Sequence, residues 1–142
     1  MSGIIERIRI FPVKGTDGIE LSEASLLENV GLEGDRHAKG GEKQISLFFM
    51  ENREKIDVAE QGLCGSRFRE NITIRGLGRA EPGMRLHVGD AVLEISGEAK
   101  HCHDECPLVK AGKPCILAGK YLFVKVVKNG DICIGDKIDA LL

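Results

Sequence analysis

A chain of 142 residues, 42% hydrophobic and 30% charged, has the size and balance of one soluble domain with a core of its own. A net charge of −2 gives no bulk attraction to nucleic acid or anionic lipid, and 4% aromatics without Trp leave little surface for stacking bases; only a local basic patch stays open. No apolar run approaches the ~18 residues of a membrane span, and MSGIIERIRIF alternates charge with apolar residues, unlike a secretory signal. Neither nucleic acid nor membrane is therefore expected as a partner, and the expected location is cytoplasmic.

Ile4 to Val13 alternates with period two and predicts a half-buried strand, with a weaker strand over Leu21 to Glu28. Gly31 to Gly41, GLEGDRHAKGG, is too rich in glycine to be other than loop. Gln44 to Leu47 predicts a short strand, and Phe48 to about Gln61 a helix stopped by Gly62. Asn71 to Ile74 is β-branched and short. Arg85 to Ser96 reads as a hairpin turned at Gly89-Asp90, and Tyr121–Val127 with Asp131–Ile138 as another turned at Asn129-Gly130. A short second helix fits Cys102 to Lys110. With no repeat or linker, residues 1–142 form a single domain, mostly β, with many short strands that suggest a barrel or closed sandwich.

The densest chemistry lies in AKHCHDECPLVKAGKPC, Ala99 to Cys115, which holds three of the five cysteines and two of the four histidines. In a reducing compartment such a cluster means metal or chemistry more often than a disulfide, and an odd cysteine count argues the same way. A structural zinc site usually shows a C-x2-C knuckle, absent here. Cys102 and Cys106 stand four apart, however, and on one helix face could ligate a metal. A nucleophile needs a thiolate near positive charge. Lys100, His101, His103, Lys110 and Lys113 supply it, against Asp104 and Glu105, and a helix starting near Asp104 with Pro107 in its first turn would add its amides. Cys64 and Cys133 read as core filling. In the glycine loop, Asp35, Arg36, His37 and Lys39 can form an oxyanion cradle or simply a polar surface. It is neither a Walker loop nor a dinucleotide fingerprint. Arg67, Arg69, Glu70 and Asn71 precede the NITI strand, and Ser46 and Thr73 offer hydroxyl groups nearby.

Taken in order, GLEGDRHAKGGEKQISL, RFRENITIRGL, MRLHVGDAVLEIS, the cysteine segment and VVKNGDICIGDKI resemble the MOSC domain, named for the C-terminal part of molybdenum cofactor sulfurase. The likeness runs from about Ile4 to Ile138, and the cysteine segment most resembles small stand-alone bacterial members. It implies a barrel-like β fold with one or two short helices. It also implies a role around molybdenum cofactor (molybdopterin): binding the pterin, or carrying sulfur as a cysteine persulfide to a metal centre. Asp35, Arg36, His37, Ser46, Glu70 and Asn71 are then the expected cofactor side. Cys102 and Cys106 are the candidate sulfur-bearing residues, with Cys115 as a resolving partner. Family members often carry one cysteine after a proline; here Cys106 precedes Pro107 instead. A cysteine desulfurase would be the sulfur donor, and a molybdoenzyme or cofactor-biosynthesis protein the acceptor. The alternatives are a non-enzymatic module that binds cofactor or metal through Cys102 and Cys106, or a structural zinc protein. The sulfur transfer itself needs no cofactor.

Overall fold

The computed structural model describes residues 2–13, 18–41, 43–51, 70–78, 80–98 and 122–141. Within them the elements are strands in chain order: β1 (Ser2–Ile10), β2 (Ile19–Leu21), β3 (Glu23–Leu27), β4 (Gly31–Leu32), β5 (Ile45–Phe49), β6 (Ile72–Arg75), β7 (Arg85–Val88), β8 (Ala91–Glu98), β9 (Leu122–Lys128), β10 (Gly130–Cys133) and β11 (Lys137–Leu141). The larger sheet runs β11-β7-β8-β9-β5-β6-β1-β2, and a further β11–β1 pairing closes seven of these strands into a barrel. β2 extends the wall beside β1. A second, three-stranded sheet runs β10-β3-β4. Closure gives seven strands partners on both sides, which removes the unpaired edges an open sheet would present.

Alternating side chains supply the core: Ile45 and Leu47 on β5, Ile72 and Ile74 on β6, Leu93 and Ile95 on β8, and Val124 and Val126 on β9 are all buried and share one cluster. β1 meets the same demand with a register shift between Ile5 and Arg7 against β6. The shift lets Ile5 and Ile8, three residues apart, both point inward, whereas strict alternation would bury only one of them. Ile4 is left outward and exposed.

Several boundaries differ from the sequence reading, each for a tertiary reason. β1 ends at Ile10 rather than Val13. The strand expected over Leu21–Glu28 breaks at Ser22, because β2 stays on the barrel while β3 crosses to the small sheet. Gly31 and Leu32, inside the expected loop, form β4 against β3. Phe48 and Phe49 finish β5 instead of opening a helix, and Phe48 is fully buried. Met50 and Glu51 are helical, and the remainder of that predicted helix lies outside the described residues.

The Gly89-Asp90 hairpin is present: Val88 pairs with Ala91, and Gly89 has φ +56°, as the first loop position of a type II′ turn requires. The Asn129-Gly130 hairpin is not. β9 pairs with β5 and β8, while β10 pairs with β3, so the chain changes sheets at the expected turn. Gly130 is needed there for space: a Cβ would lie 2.6 Å from Ala91 N and 2.7 Å from Ala91 Cβ. The strand expected over Asp131–Ile138 is divided into β10 and β11 by a turn at Gly135, φ +92°. Within it Ile132 takes the core position, and Cys133, expected inside, is exposed. Cys64 and the predicted Cys102–Lys110 helix lie outside the described residues.

Candidate functional site

β5 and β6 run parallel, with Leu47 opposite Ile72 and Phe49 opposite Ile74. Their inward residues belong to the core, so Ser46 and Thr73 stand on the other face of the wall, as does Arg9 beside inward Ile8. That face is not solvated. Ser46, Glu70, Asn71 and Thr73 are all buried, and Asp35 joins them from the glycine loop.

Buried polar groups need partners, and the members of this cluster supply many of them to one another. Asn71 ties the start of β6 to β5: its Oδ1 accepts from Ser46 N and Ser46 Oγ at 3.0 and 3.1 Å, and its own N–H donates to Ser46 O. On β1, Arg9 N donates to Asn71 O at 2.7 Å, and Asn71 Nδ2 donates back to Arg9 O at 3.0 Å. The same Nδ2 reaches Asp35 Oδ1 at 3.1 Å. Asp35 Oδ1 also accepts Phe11 N at 2.7 Å, while Asp35 Oδ2 accepts His37 N at 3.0 Å and lies 3.3 Å from His37 Nδ1. One carboxylate thus fastens the loop to the end of β1 and, through Asn71, to β5 and β6. Alongside, Arg9 Nη2 pairs with Glu70 Oε1 at 2.9 Å, Thr73 Oγ1 donates to Glu70 Oε2 at 2.8 Å, and the guanidinium carbon sits 5.3 Å from the Phe11 ring centre.

The far end of the loop is fastened as well. Gln44 Nε2 donates to Gly41 O, and Gln44 Oε1 accepts from Val126 N, so a side chain continues the ladder where β5 has not yet begun. Gly34, Gly40 and Gly41 take positive φ, which lets the loop turn sharply between these fixed ends.

This bracing divides the sequence-predicted residues into two groups. Asp35, Ser46, Glu70 and Asn71 are brought together but face one another; Arg36 and His37 project from the same loop and are exposed, as are Lys39 and Lys43. Lys43 Nζ lies 5.4 Å from the centre of the Phe123 ring, and Phe123 is paired with Ser46 across β9 and β5. The loop therefore presents cations on a framework that uses its own acid internally. Cys102, Cys106 and Cys115 lie outside the described residues. The strands that bracket them are described: Glu98 on β8 pairs with Leu122 on β9, one residue before Phe123. Among the described residues, no three His, Cys, Asp or Glu side chains are grouped to hold a metal ion, and no helix is long and apolar enough to cross a membrane.

Arg9 and Gln44 are the structural members that the sequence reading passed over. Arg9 looked like the solvated face of a strand, and its partner Glu70 is 61 residues away. Gln44 carried no local signal, since its partner Val126 is 82 residues distant.

Cys133 sits in a different environment. Desolvation, then the carboxylates of Asp136, Glu23 and Asp131, push its thiol above the ordinary range. The small sheet also carries a cleft of about 370 Å³ lined by Leu21, Glu23, Ala24, Ser25, Glu33 and Asp131.

The fold has solved counterparts. The YuaD protein from Bacillus subtilis is 18% identical over 99% of this chain and 96% of its own, with a TM-score of 0.73. YiiM from Escherichia coli is 17% identical over 100% of this chain and 70% of its own, with a TM-score of 0.64. YiiM from Geobacillus stearothermophilus is 16% identical over 99% and 73%, with a TM-score of 0.60. No curated protein matches the chain. The model of the MOSC domain family matches residues 34–139, a span that opens on the braced loop and closes on β11, and the chain belongs to the MOSC domain family.

Proposed function

We propose that this domain works around molybdenum cofactor, holding the anionic pterin at the 34–41 loop and carrying sulfur as a persulfide on Cys102 or Cys106. The observation that carries the reading is the loop itself: the exposed cations Arg36 and Lys39, with the exposed imidazole of His37 between them and exposed Lys43 just beyond, stand on a backbone fixed by buried Asp35 and Gln44. A pterin phosphate asks for charge-assisted donors held in place, and this donor set fits it. Asp35, Ser46 and Asn71 act behind that surface as its braces. When bound, the cofactor would supply a metal centre able to accept sulfur.

The chain's part in sulfur loading is nucleophilic. A thiolate at Cys102 or Cys106 attacks the outer sulfur of a donor persulfide, a new S–S bond forms, the donor's S–S bond breaks, and the donor leaves as a thiolate. A Cys115 thiolate can then attack the inner sulfur of the carrier persulfide: a Cys115–carrier disulfide forms, the persulfide S–S bond breaks, and the outer sulfur leaves as hydrosulfide. The donor chemistry is that of a cysteine desulfurase, and the acceptor is a molybdoenzyme or a cofactor-biosynthesis protein.

Native mass spectrometry of anaerobically purified protein, before and after a cysteine desulfurase and cysteine are added, tests this directly. One added sulfur, reversed by reductant and lost in Cys102→Ser or Cys106→Ser, is the expected result. No added sulfur, with molybdenum or pterin mass in protein from molybdate-fed cells, would replace the carrier by a binding module. Stoichiometric zinc would replace both.

A further inference from the structure

The contact between Asp35 and His37 reaches beyond binding. The Asp35 side chain has no exposed surface, and its oxygens already receive three N–H donors, from Phe11, Asn71 and His37. A carboxylate offers the His37 ring only a lone pair, so the nitrogen 3.3 Å away, Nδ1, is the one that carries the ring proton, which leaves the lone pair on Nε2. Asp35 cannot turn away to relax this preference, because the end of β1 and Asn71 hold it, and Asn71 is itself tied to Ser46. The ring is 49% exposed. With its Nδ1 edge against buried Asp35, the open side is the one that carries Nε2.

We propose that His37 is a proton acceptor, taking the proton from a thiol on an anionic ligand, with Asp35 as the positioning residue behind it. This deepens, and rests on, the reading of the 34–41 loop as an anion site. An imidazole matches a thiol in acidity far better than it matches a hydroxyl group, which makes a thiol the fitting acid. In the step the ligand's S–H bond breaks and an Nε2–H bond forms. The electron pair stays on sulfur as a thiolate, and the imidazolium lies between that thiolate and the Asp35 carboxylate. No oxidant or reductant enters. Arg36, the adjoining residue, is exposed and supplies a guanidinium suited to the ligand's anionic group.

Long-range proton–nitrogen spectra of the full chain read the tautomer without any ligand, the His37 signal being assigned by its loss in His37→Gln. The neutral ring should carry its proton on Nδ1, and Asp35→Asn, whose amide can donate to Nδ1, should move it to Nε2. A neutral wild-type ring protonated on Nε2 overturns the proposal even if Asp35→Asn fails to fold. The second arm mixes the protein with 2-mercaptoethanesulfonate and follows thiolate absorbance in the ultraviolet. A rise beyond the two separate solutions is expected in wild type and its loss in His37→Gln. Ethanesulfonate, which has no thiol, separates the two readings. If it binds and the thiol probe gives no added thiolate, the proton-acceptor role fails and the anion site stands; if neither sulfonate binds, both fall.

Discussion

Two polar regions of this barrel use similar residues to opposite ends. At the 34–41 loop the acids are inside: Asp35 and Glu70 are buried and satisfied by Asn71, Arg9, Thr73 and main-chain N–H groups, while the cations point outward. On the small sheet the acids are outside, with Glu23, Glu33 and Asp131 lining an open cleft and Asp136 close to Cys133. On the proposed reading an anion is drawn to the first face, whereas on the second desolvation and the neighbouring carboxylates favour the protonated form of the Cys133 thiol. Position relative to the wall, more than residue type, decides what each acid does.

The comparison breaks most visibly if the buried acids are removed. Asp35→Ala leaves three N–H donors without their acceptor and should cost on the order of 4 kcal/mol in a denaturant titration. The matching change on the acidic face, Asp131→Ala, removes an exposed hydrogen bond from Ser25 Oγ and should cost only a small part of that. Equal losses would mean that Asp35 is no brace. Glu70→Gln should come next, at about 3 kcal/mol, because it removes a fully buried carboxylate charge that pairs with Arg9 at 2.9 Å, a side chain only 13% exposed, and accepts from Thr73 Oγ1. Replacing the pair together, Arg9→Met with Glu70→Leu, should recover part of the loss. A double variant that sums the two single losses would show that the pairing itself contributes nothing.

How much of this could be read from the sequence follows the range of the interactions. The mostly β barrel was legible because apolar alternation is local, as in Ile4–Ile10 and Leu93–Ile95, and the Gly89-Asp90 turn was legible because its chemistry lies within four residues. Asn129-Gly130 misled for the same reason: the dipeptide suits a hairpin, but the close approach of Gly130 to Ala91 decides its use. Phe48 was drawn into a helix because a strand buried on both faces loses its alternation. Asp35, Arg36, His37, Ser46, Glu70 and Asn71 were recognisable as a group through family resemblance. Their division into buried braces and exposed cations was not, since it depends on contacts 25 to 61 residues apart.

The smallest expected effect lies on the acidic face. Cys133 is exposed, so access alone would make it an easy target for iodoacetamide. Its thiol nevertheless lies above the ordinary range, through desolvation first and then Asp136, Glu23 and Asp131, and the attacking species is the thiolate. Raising a thiol's pKa lowers the thiolate fraction at every pH below it. Cys133 should thus be alkylated more slowly than a model thiol at neutral pH, and the gap should close as pH rises past the Cys133 value. Asp136→Asn removes one of the carboxylates, shifts the profile towards lower pH and speeds labelling at neutral pH. Peptide mapping by mass spectrometry across a pH series reads both effects at this residue. Labelling as fast as the model thiol, unchanged in Asp136→Asn, would mean that the carboxylates of this face do not act on the thiol, and the electrostatic half of the comparison would fail.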